Sequence, residues 1–181
     1  MRVFSIFCCA AALVLVFAGR TNATPAPPAD RSSTLLGSWL CITAARTTAK
    51  LTFVRPAAGS MALENHFTLA DGSTAEFDEQ YTFDTNSGRW MWKTITPNDR
   101  TFEEDGSAPP WTGDRWLFEG TLHVAAQASM ASILPPKAST GPVRMLYIYV
   151  DGNTFRRSFQ QQANGEWVTT SSSICQRAVS P

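Results

Sequence analysis

The sequence predicts an all-β domain, a closed antiparallel up-and-down β-barrel of about ten strands. From Leu36 onward, apolar and polar residues alternate with a period of two, which is typical of half-buried strands. Turn dipeptides separate these runs, and after the N-terminal segment no amphipathic helix longer than about ten residues is evident. Closure into a barrel pairs every strand and removes the exposed edges. A two-sheet sandwich is the alternative, which the even hairpin order disfavours.

The chain begins with a segment typical of a signal peptide. Arg2 precedes an apolar run over residues 3–18, and small residues follow. This run is shorter than the roughly 20 residues of a membrane span, so we expect cleavage and no integral membrane span. Cleavage is expected after Ala23, with Ala18 as the second choice. The protein is therefore predicted to be exported, to the periplasm or the extracellular space.

Three segments make up the predicted domain organisation. They are a signal peptide at 1–23, a flexible leader at 24–33 and a single barrel domain at 34–178. Cleavage leaves 158 residues, enough for one domain with a proper core. The mature chain carries 13 basic and 15 acidic residues and no long basic patch, so nucleic acid is not an expected partner. The oligomeric state stays open.

The strands are placed between turn signals. These signals are Asp71-Gly72, Asn86–Gly88, Asp151–Asn153 and Asn164-Gly165, and they indicate consecutive antiparallel hairpins. The predicted strands are 36–44, 48–56, 60–69, 75–84, 88–96, 99–104, 114–123, 142–150, 153–162 and 166–176.

Two predicted connections are long for a meander. Residues 105–113 form a loop rich in proline and glycine that holds Trp111, and residues 124–141 contain a short helix before a double proline. Loops of this length are either disordered or lids over a binding site.

Two cysteines remain after cleavage, Cys41 and Cys175, near the two ends of the domain. An even count in an exported chain predicts a disulfide, and two reduced buried thiols are the alternative. In a closed barrel the first and last strands are neighbours, so the bridge would fasten the seam. Trp39 shares a face with Cys41, and Arg177 with Cys175, so we expect the Arg177 guanidinium to lie over the Trp39 indole.

The motif Gly37-Ser38-Trp39, with the late Arg177, resembles the Gly-x-Trp and terminal arginine of lipocalin-like (calycin) barrels. The stretches "LLGSWLC", "YTFDTNSGRW", "DRWLFEG" and "ICQRA" are similar to the uncharacterised exported DUF1579-type proteins, over residues 36–177. The resemblance implies the barrel fold. Ten-stranded nitrobindin-like barrels bind haem through a histidine near the chain end, and none follows His123 here. No cofactor is expected, with haem left open.

Enzyme motifs are absent from the sequence, and no catalytic or metal-binding residue is assigned. Of the two histidines, His66 lies opposite an apolar stripe, and we expect it, like His123, at the surface. The acidic segment 99–106 offers carboxylate oxygens but matches no calcium loop, and we interpret it as a solvated turn.

Polar residues in phase with apolar stripes are the best candidates for a site. Asn65, Glu79 and Arg157 alternate with large apolar residues on three different strands. If these faces point inward, Glu79 and Arg157 should pair with each other or with a ligand head group, because burying an unpaired charge is costly. The alternative places Arg157 at the rim and Glu79 near the barrel mouth.

These residues and the inward aromatic positions favour a binding module for a small apolar or amphipathic molecule, with a carboxylate or hydroxyl head group. A structural barrel filled by its own side chains, with an exposed loop around Trp111 that contacts a partner, is one alternative. An enzyme acting on a lipid-like compound in the same lumen is another. The candidate ligand-binding residues are Asn65, Glu79, Tyr81, Trp90, Trp92, Trp116, Phe118 and Arg157.

Overall fold

The structure, a computed structural model, is a closed barrel of ten antiparallel strands, as the sequence predicts. It describes residues 30–44, 47–68, 72–95, 102–124 and 139–178. Each strand pairs with its neighbours in the chain, and β1 pairs with β10 to close the sheet. The strands are β1 Gly37–Thr43, β2 Thr48–Val54, β3 Ser60–Thr68, β4 Thr74–Asp84, β5 Arg89–Ile95, β6 Phe102–Ala108, β7 Arg115–Val124, β8 Ser139–Asp151, β9 Thr154–Ala163 and β10 Glu166–Arg177.

A short helix that the sequence does not predict precedes β1. Arg31–Leu35 form a short 3-10 helix, which Asp30 caps by accepting a hydrogen bond from the Ser32 amide at 2.9 Å. The last residues of the predicted leader at 24–33 therefore belong to the domain. The predicted signal peptide and its cleavage sites lie outside the described residues.

The strand β6 lies later in the chain than predicted and extends into the segment 105–113 expected as a loop. Gly120 sits opposite Gly106, and a Cβ on Gly120 would lie 1.7 Å from the Asp105 carbonyl oxygen. Gly106 and Gly120 therefore allow β6 and β7 to approach each other closely, and they do not form a turn. The interpretation of 99–106 as a solvated turn is wrong from residue 102 onward, because this part is strand.

The barrel seam is fastened at two levels by side chains of β1 and β10 and, beyond them, by contacts of β10 with the residues before β1. Cys41 and Cys175 face each other in register and form the predicted disulfide. Two residues further along, the Arg177 guanidinium lies 4.2 Å from the Trp39 ring centroid. Arg177 also donates hydrogen bonds to the Leu36 and Thr34 carbonyls, both at 2.9 Å. The seam therefore connects the last strand to the N-terminal helix as well as to β1.

One end of the barrel is covered by the N-terminal helix and the loop between β6 and β7, and we call it the capped end. The Asp30 carboxylate accepts from the Trp90 indole at 2.6 Å. Trp111 is fully buried and stacks on Trp116 with 5.4 Å between ring centroids. The alternative in which an exposed aromatic loop presents Trp111 to a partner is therefore wrong on this point, since the indole is buried and fills the capped end.

The hydrophobic core is the barrel interior, where inward side chains of all ten strands meet. Outward positions carry most of the charged residues, and the period of two that identified the strands is clear in β1 to β5. In β9 and β10 the burial pattern is irregular, and the register between them shifts between Thr169 and Ser171. Across the described residues, no helix is both long and apolar enough to cross a membrane.

Replacing both Cys41 and Cys175 by alanine should lower the free energy of unfolding by about 4–5 kcal/mol, because the bridge joins positions separated by 134 residues. Urea unfolding of the wild type and of the double variant measures the difference. Reduced wild type is the control and should unfold like the variant. Two free thiols in native protein would contradict the assignment.

Candidate functional site

The barrel interior holds a buried polar network built by β3, β4, β8 and β9. Its centre is Glu79, whose side chain is completely buried, paired with Arg157, whose side chain is 14% exposed. Both residues lie on inward positions of their strands, beside Leu63 and Tyr147 in the register. The structure thus brings together two charges that stand 78 residues apart in the chain.

The Glu79 carboxylate is surrounded by donors. Its Oε1 accepts from Nη2 of Arg157 and, at 3.3 Å, from Nδ2 of Asn65. Its Oε2 accepts from the hydroxyl of Tyr81, whose own oxygen lies 2.7 Å from the hydroxyl of Tyr147. A chain of hydrogen bonds therefore runs from Tyr147 through Tyr81 to Glu79, in which each tyrosine is neutral and donates its hydroxyl proton to the next oxygen.

The electrostatics keep this arrangement in one charge state. Burial raises the pKa of Tyr81 well above its usual range, and the neighbouring Glu79 carboxylate adds to the effect. Burial, the largest single effect, lowers the pKa of Arg157, but the charge of Glu79, the neighbouring Tyr147 and Tyr81 and the hydrogen bond to Glu79 together outweigh it, and the pKa ends above its ordinary value. The network thus carries one negative and one positive charge at neutral pH.

A second carboxyl group stands beside the network on β6. Glu104 is 5% exposed and accepts a hydrogen bond at 2.9 Å from Oγ1 of Thr94, which lies opposite Glu79 in the register. Burial, and then the charge of Glu79, raise the pKa of Glu104 to about 8. Glu104 is therefore a neutral carboxylic acid at neutral pH.

The predicted aromatic residues divide between two levels of the barrel. Trp92 and Phe118 lie near the network, with 6.2 Å between their ring centroids. Trp90 and Trp116 lie toward the capped end, where the Trp116 indole donates to the Pro109 carbonyl at 2.9 Å. Trp116 also stacks on Tyr81 at 6.1 Å, so the aromatic packing continues from the cap up to the polar network.

Toward the end of the barrel opposite the cap, the inward side chains are less buried. Phe67 and Phe77 stack with 5.1 Å between centroids, and both remain partly exposed, as do Phe159 and Gln161. Several connections at this end, including the predicted helix between 124 and 141, lie outside the described residues.

The histidines are at the surface. His66 lies 3.0 Å from Glu76, with half of its side chain exposed, and His123 is exposed beside Thr140. Within the described parts of the chain, no group of three or more His, Cys, Asp or Glu side chains is placed to hold a metal ion.

The observed charge balance does not support the expected carboxylate head group. The positive charge of Arg157 is already engaged by Glu79, and Glu104 adds a further acid rather than a base. A ligand carboxylate would therefore meet repulsion and find no free cation among the described lumen residues.

Sequence reasoning missed three members of this site. Tyr147 and Thr94 alternate with inward residues and would have been found by extending the same periodicity. Glu104 was hidden in a run of acidic residues that resembles a turn, although Glu104, Gly106 and Ala108 alternate on the inward face.

Comparison with known proteins identifies the fold only. No protein-family model matches the sequence, and no curated protein matches it. Seven chains of solved structures match, among them the crystal structure of Rv2717c from M. tuberculosis. That structure superposes with a TM-score of 0.58 and 17% sequence identity, over 81% of this chain and 94% of that chain.

Arg157→Met should lower the free energy of unfolding by about 3–5 kcal/mol at neutral pH, because it leaves the Glu79 carboxylate buried without its counter-ion. Adding Glu79→Gln should recover most of this loss. Arg156→Met, on the exposed face of the same strand, is the matched control. Urea unfolding of the four proteins measures the effect, and an equal cost for the two arginine variants would contradict it.

Glu104→Gln should change how stability depends on pH. Between the ordinary carboxyl pKa of 4.5 and about 8, folded protein keeps the Glu104 proton that the unfolded chain releases. Wild-type stability therefore falls by up to about 1.4 kcal/mol per pH unit in this window through Glu104 alone, and levels off above it.

The stability of the Glu104→Gln variant relative to wild type should thus rise across this window. Denaturant unfolding at a series of pH values tests this, with Glu103→Gln, on the exposed side of β6, as the control. Parallel pH profiles for wild type and Glu104→Gln would exclude the proposed protonation state.

Proposed function

We propose that the protein is an exported barrel that binds a small amphipathic molecule in its lumen, with the polar head of the ligand at the network around Glu79. The observation that carries this proposal is a pair of opposite charges buried inside an aromatic barrel, at 0% and 14% side-chain exposure.

A buried ion pair is a poor way to stabilise a fold. Removing two charges from water costs more than an apolar filling of similar volume, and such replacements are often neutral or stabilising. Glu79 and Arg157 sit where leucine or phenylalanine would fill the lumen, and Glu104 adds a carboxyl group that has no counter-ion of its own among the described residues. Recognition of a polar ligand group would explain why charged side chains stand at these positions despite their cost in stability.

The apolar part of the ligand would contact the aromatic wall. Trp92, Phe118 and Phe159 lie around the network, and Phe159 is partly exposed. Because the N-terminal helix and Trp111 close the capped end, we propose entry from the opposite end, past Phe67 and Phe77. Binding sites with apolar walls and a few convergent polar groups are typical of barrels.

Export is part of the proposal. It rests on the apolar N-terminal segment of the sequence and on the disulfide between Cys41 and Cys175, a bond that persists in oxidising compartments.

A structural barrel without a ligand is the second candidate. The observation in its favour is the dense aromatic filling of the capped half, where Trp39, Trp111 and Trp116 are almost completely buried. In this case the polar network would only fix the packing of the interior.

Thermal-shift measurements with fatty acids, retinoid-like compounds, their neutral derivatives and haem distinguish the two candidates. We expect at least one amphipathic compound to raise the melting temperature of the wild type in proportion to the logarithm of its concentration. The double variant Glu79→Gln/Arg157→Met, which removes both charges together, should bind it at least about tenfold more weakly.

Arg156→Met should bind the same compound like wild type. Native mass spectrometry of the protein from its own source provides the second measurement, since a retained ligand adds mass. A bare mass together with no thermal shift would favour the structural barrel.

A further inference from the structure

We propose that Glu104 and Trp92 form a head-group site for a neutral carbonyl group, such as that of an amide, ester or ketone, in the lumen. This inference rests on the proposed binding function and specifies the chemical class of the ligand. The two residues lie on adjacent strands: Trp92 is opposite Gly106, and Glu104 is two residues before Gly106 on the same inward face.

Trp92 supplies a hydrogen-bond donor without a partner. Its side chain is 1% exposed, and its Nε1 has no acceptor among the described residues. A Cβ on Gly106 would lie 3.1 Å from Cε3 of Trp92, so this edge of the indole packs over β6. Indole nitrogens in protein interiors are normally satisfied, and among the described residues only those of Trp92 and Trp111 are buried without a partner. Trp92 is the one whose neighbouring strand carries a buried carboxyl group, so its N–H marks a place for an acceptor.

Glu104 supplies the second donor. Thr94 donates to its Oε2 at 2.9 Å, and the guanidinium of Arg157 is engaged by Glu79. Among the described residues this buried carboxyl group has one hydroxyl donor and no counter-ion of its own, and such surroundings favour the neutral form. The acid proton then belongs on Oε1, where it is available to a ligand. The raised pKa of Glu104, about 8, agrees with this assignment.

Two donors on the inward face of adjacent strands select the ligand chemistry. A carbonyl oxygen has two lone pairs and can accept from both groups at once. A carboxylate would bring a charge next to Glu79, and an alkylammonium group has no lone pair for the Trp92 N–H. Neutral acceptors are therefore favoured over both charged head groups.

Three probes that share one alkyl chain separate these chemistries: N,N-dimethyldecanamide, decanoate and decylamine. Only the first carries a neutral carbonyl oxygen, and it has no N–H donor of its own. Isothermal titration at about pH 6 should show the amide binding wild type at least about tenfold more tightly than either charged probe. At about pH 9.5 its affinity should fall by about tenfold or more, because Glu104, with a pKa of about 8, is then ionised.

Variants assign the effect to the two residues. Trp92→Phe should weaken binding of the amide by about two- to tenfold, the loss expected for one hydrogen bond. Glu104→Gln keeps an N–H donor and cannot ionise, so it should bind at both pH values with an affinity within about threefold of wild type at the lower pH. Glu103→Gln, on the exposed side of β6, is the matched control and should keep the wild-type pH dependence.

A nuclear magnetic resonance measurement reports on the contact directly. The indole Nε1–H resonance of Trp92, assigned by its absence in Trp92→Phe, should move downfield when the amide is added. A resonance that stays in place while the amide binds would overturn the inference. So would tighter binding of decanoate or decylamine, although the proposed binding function would then stand. If no probe binds wild type, the binding function fails together with the head-group site.

Discussion

Closure of the sheet between β1 and β10 is the constraint on which the interior of this protein depends. In a closed barrel every inward side chain faces one lumen, so residues far apart in sequence can meet. Glu79 and Arg157 are paired because β4 and β9 lie on opposite sides of the closed barrel, so that their inward side chains meet across the lumen. The bond between Cys41 and Cys175 holds together the two strands whose separation would open the barrel.

The buried ion pair is stable in part because neutral side chains donate further hydrogen bonds to the Glu79 carboxylate. Asn65 and Tyr81 both donate to Glu79, so the carboxylate does not depend on Arg157 alone. Arg157 in turn lies 5.5 Å from the ring centroid of Tyr147 and donates to Oδ1 of Asn65 at 3.3 Å. Each partner fixes the orientation of another, so loss of one member disturbs the whole network.

Much of the fold follows from local sequence patterns. The period of two and the turn dipeptides predict ten strands, and nine of them lie within three residues of their predicted ends. The exception is β6, where the sequence Asp105-Gly106 has the composition of a hairpin turn but lies within a strand. Gly106 is needed there because β7 approaches too closely to leave room for a side chain. Such a requirement comes from a neighbouring strand, and a single strand does not reveal it.

The same reason explains which parts of the site could be predicted. The phase of Glu79 and Arg157 with large apolar residues is visible in each strand separately. Which inward residues share a level of the barrel depends on strand register and tilt, and these are properties of the closed sheet. Trp90 and Trp92 have the same phase, yet one bonds to Asp30 at the capped end and the other lies beside Phe159. Sequence periodicity therefore predicts which residues line the lumen, but not which of them lie at the same height along the barrel axis.

The two halves of the lumen differ in how their carboxyl groups are paired. At the capped end, the indole nitrogens of Trp39, Trp90 and Trp116 donate to nearby oxygens, while that of Trp111 has no acceptor among the described residues. The Asp30 carboxylate there accepts from both the Trp90 indole and the Ser32 amide. Beside the polar network, the Trp92 nitrogen likewise has no acceptor within the described chain, and the buried carboxyl group of Glu104 has a single hydroxyl donor there. Unpaired polar groups in an interior cost stability, and proteins concentrate such costs where they bind ligands. The pairing of the carboxyl groups, rather than of the indole nitrogens, is therefore the physical reason to place structural packing at the capped end and recognition at the level of Glu104.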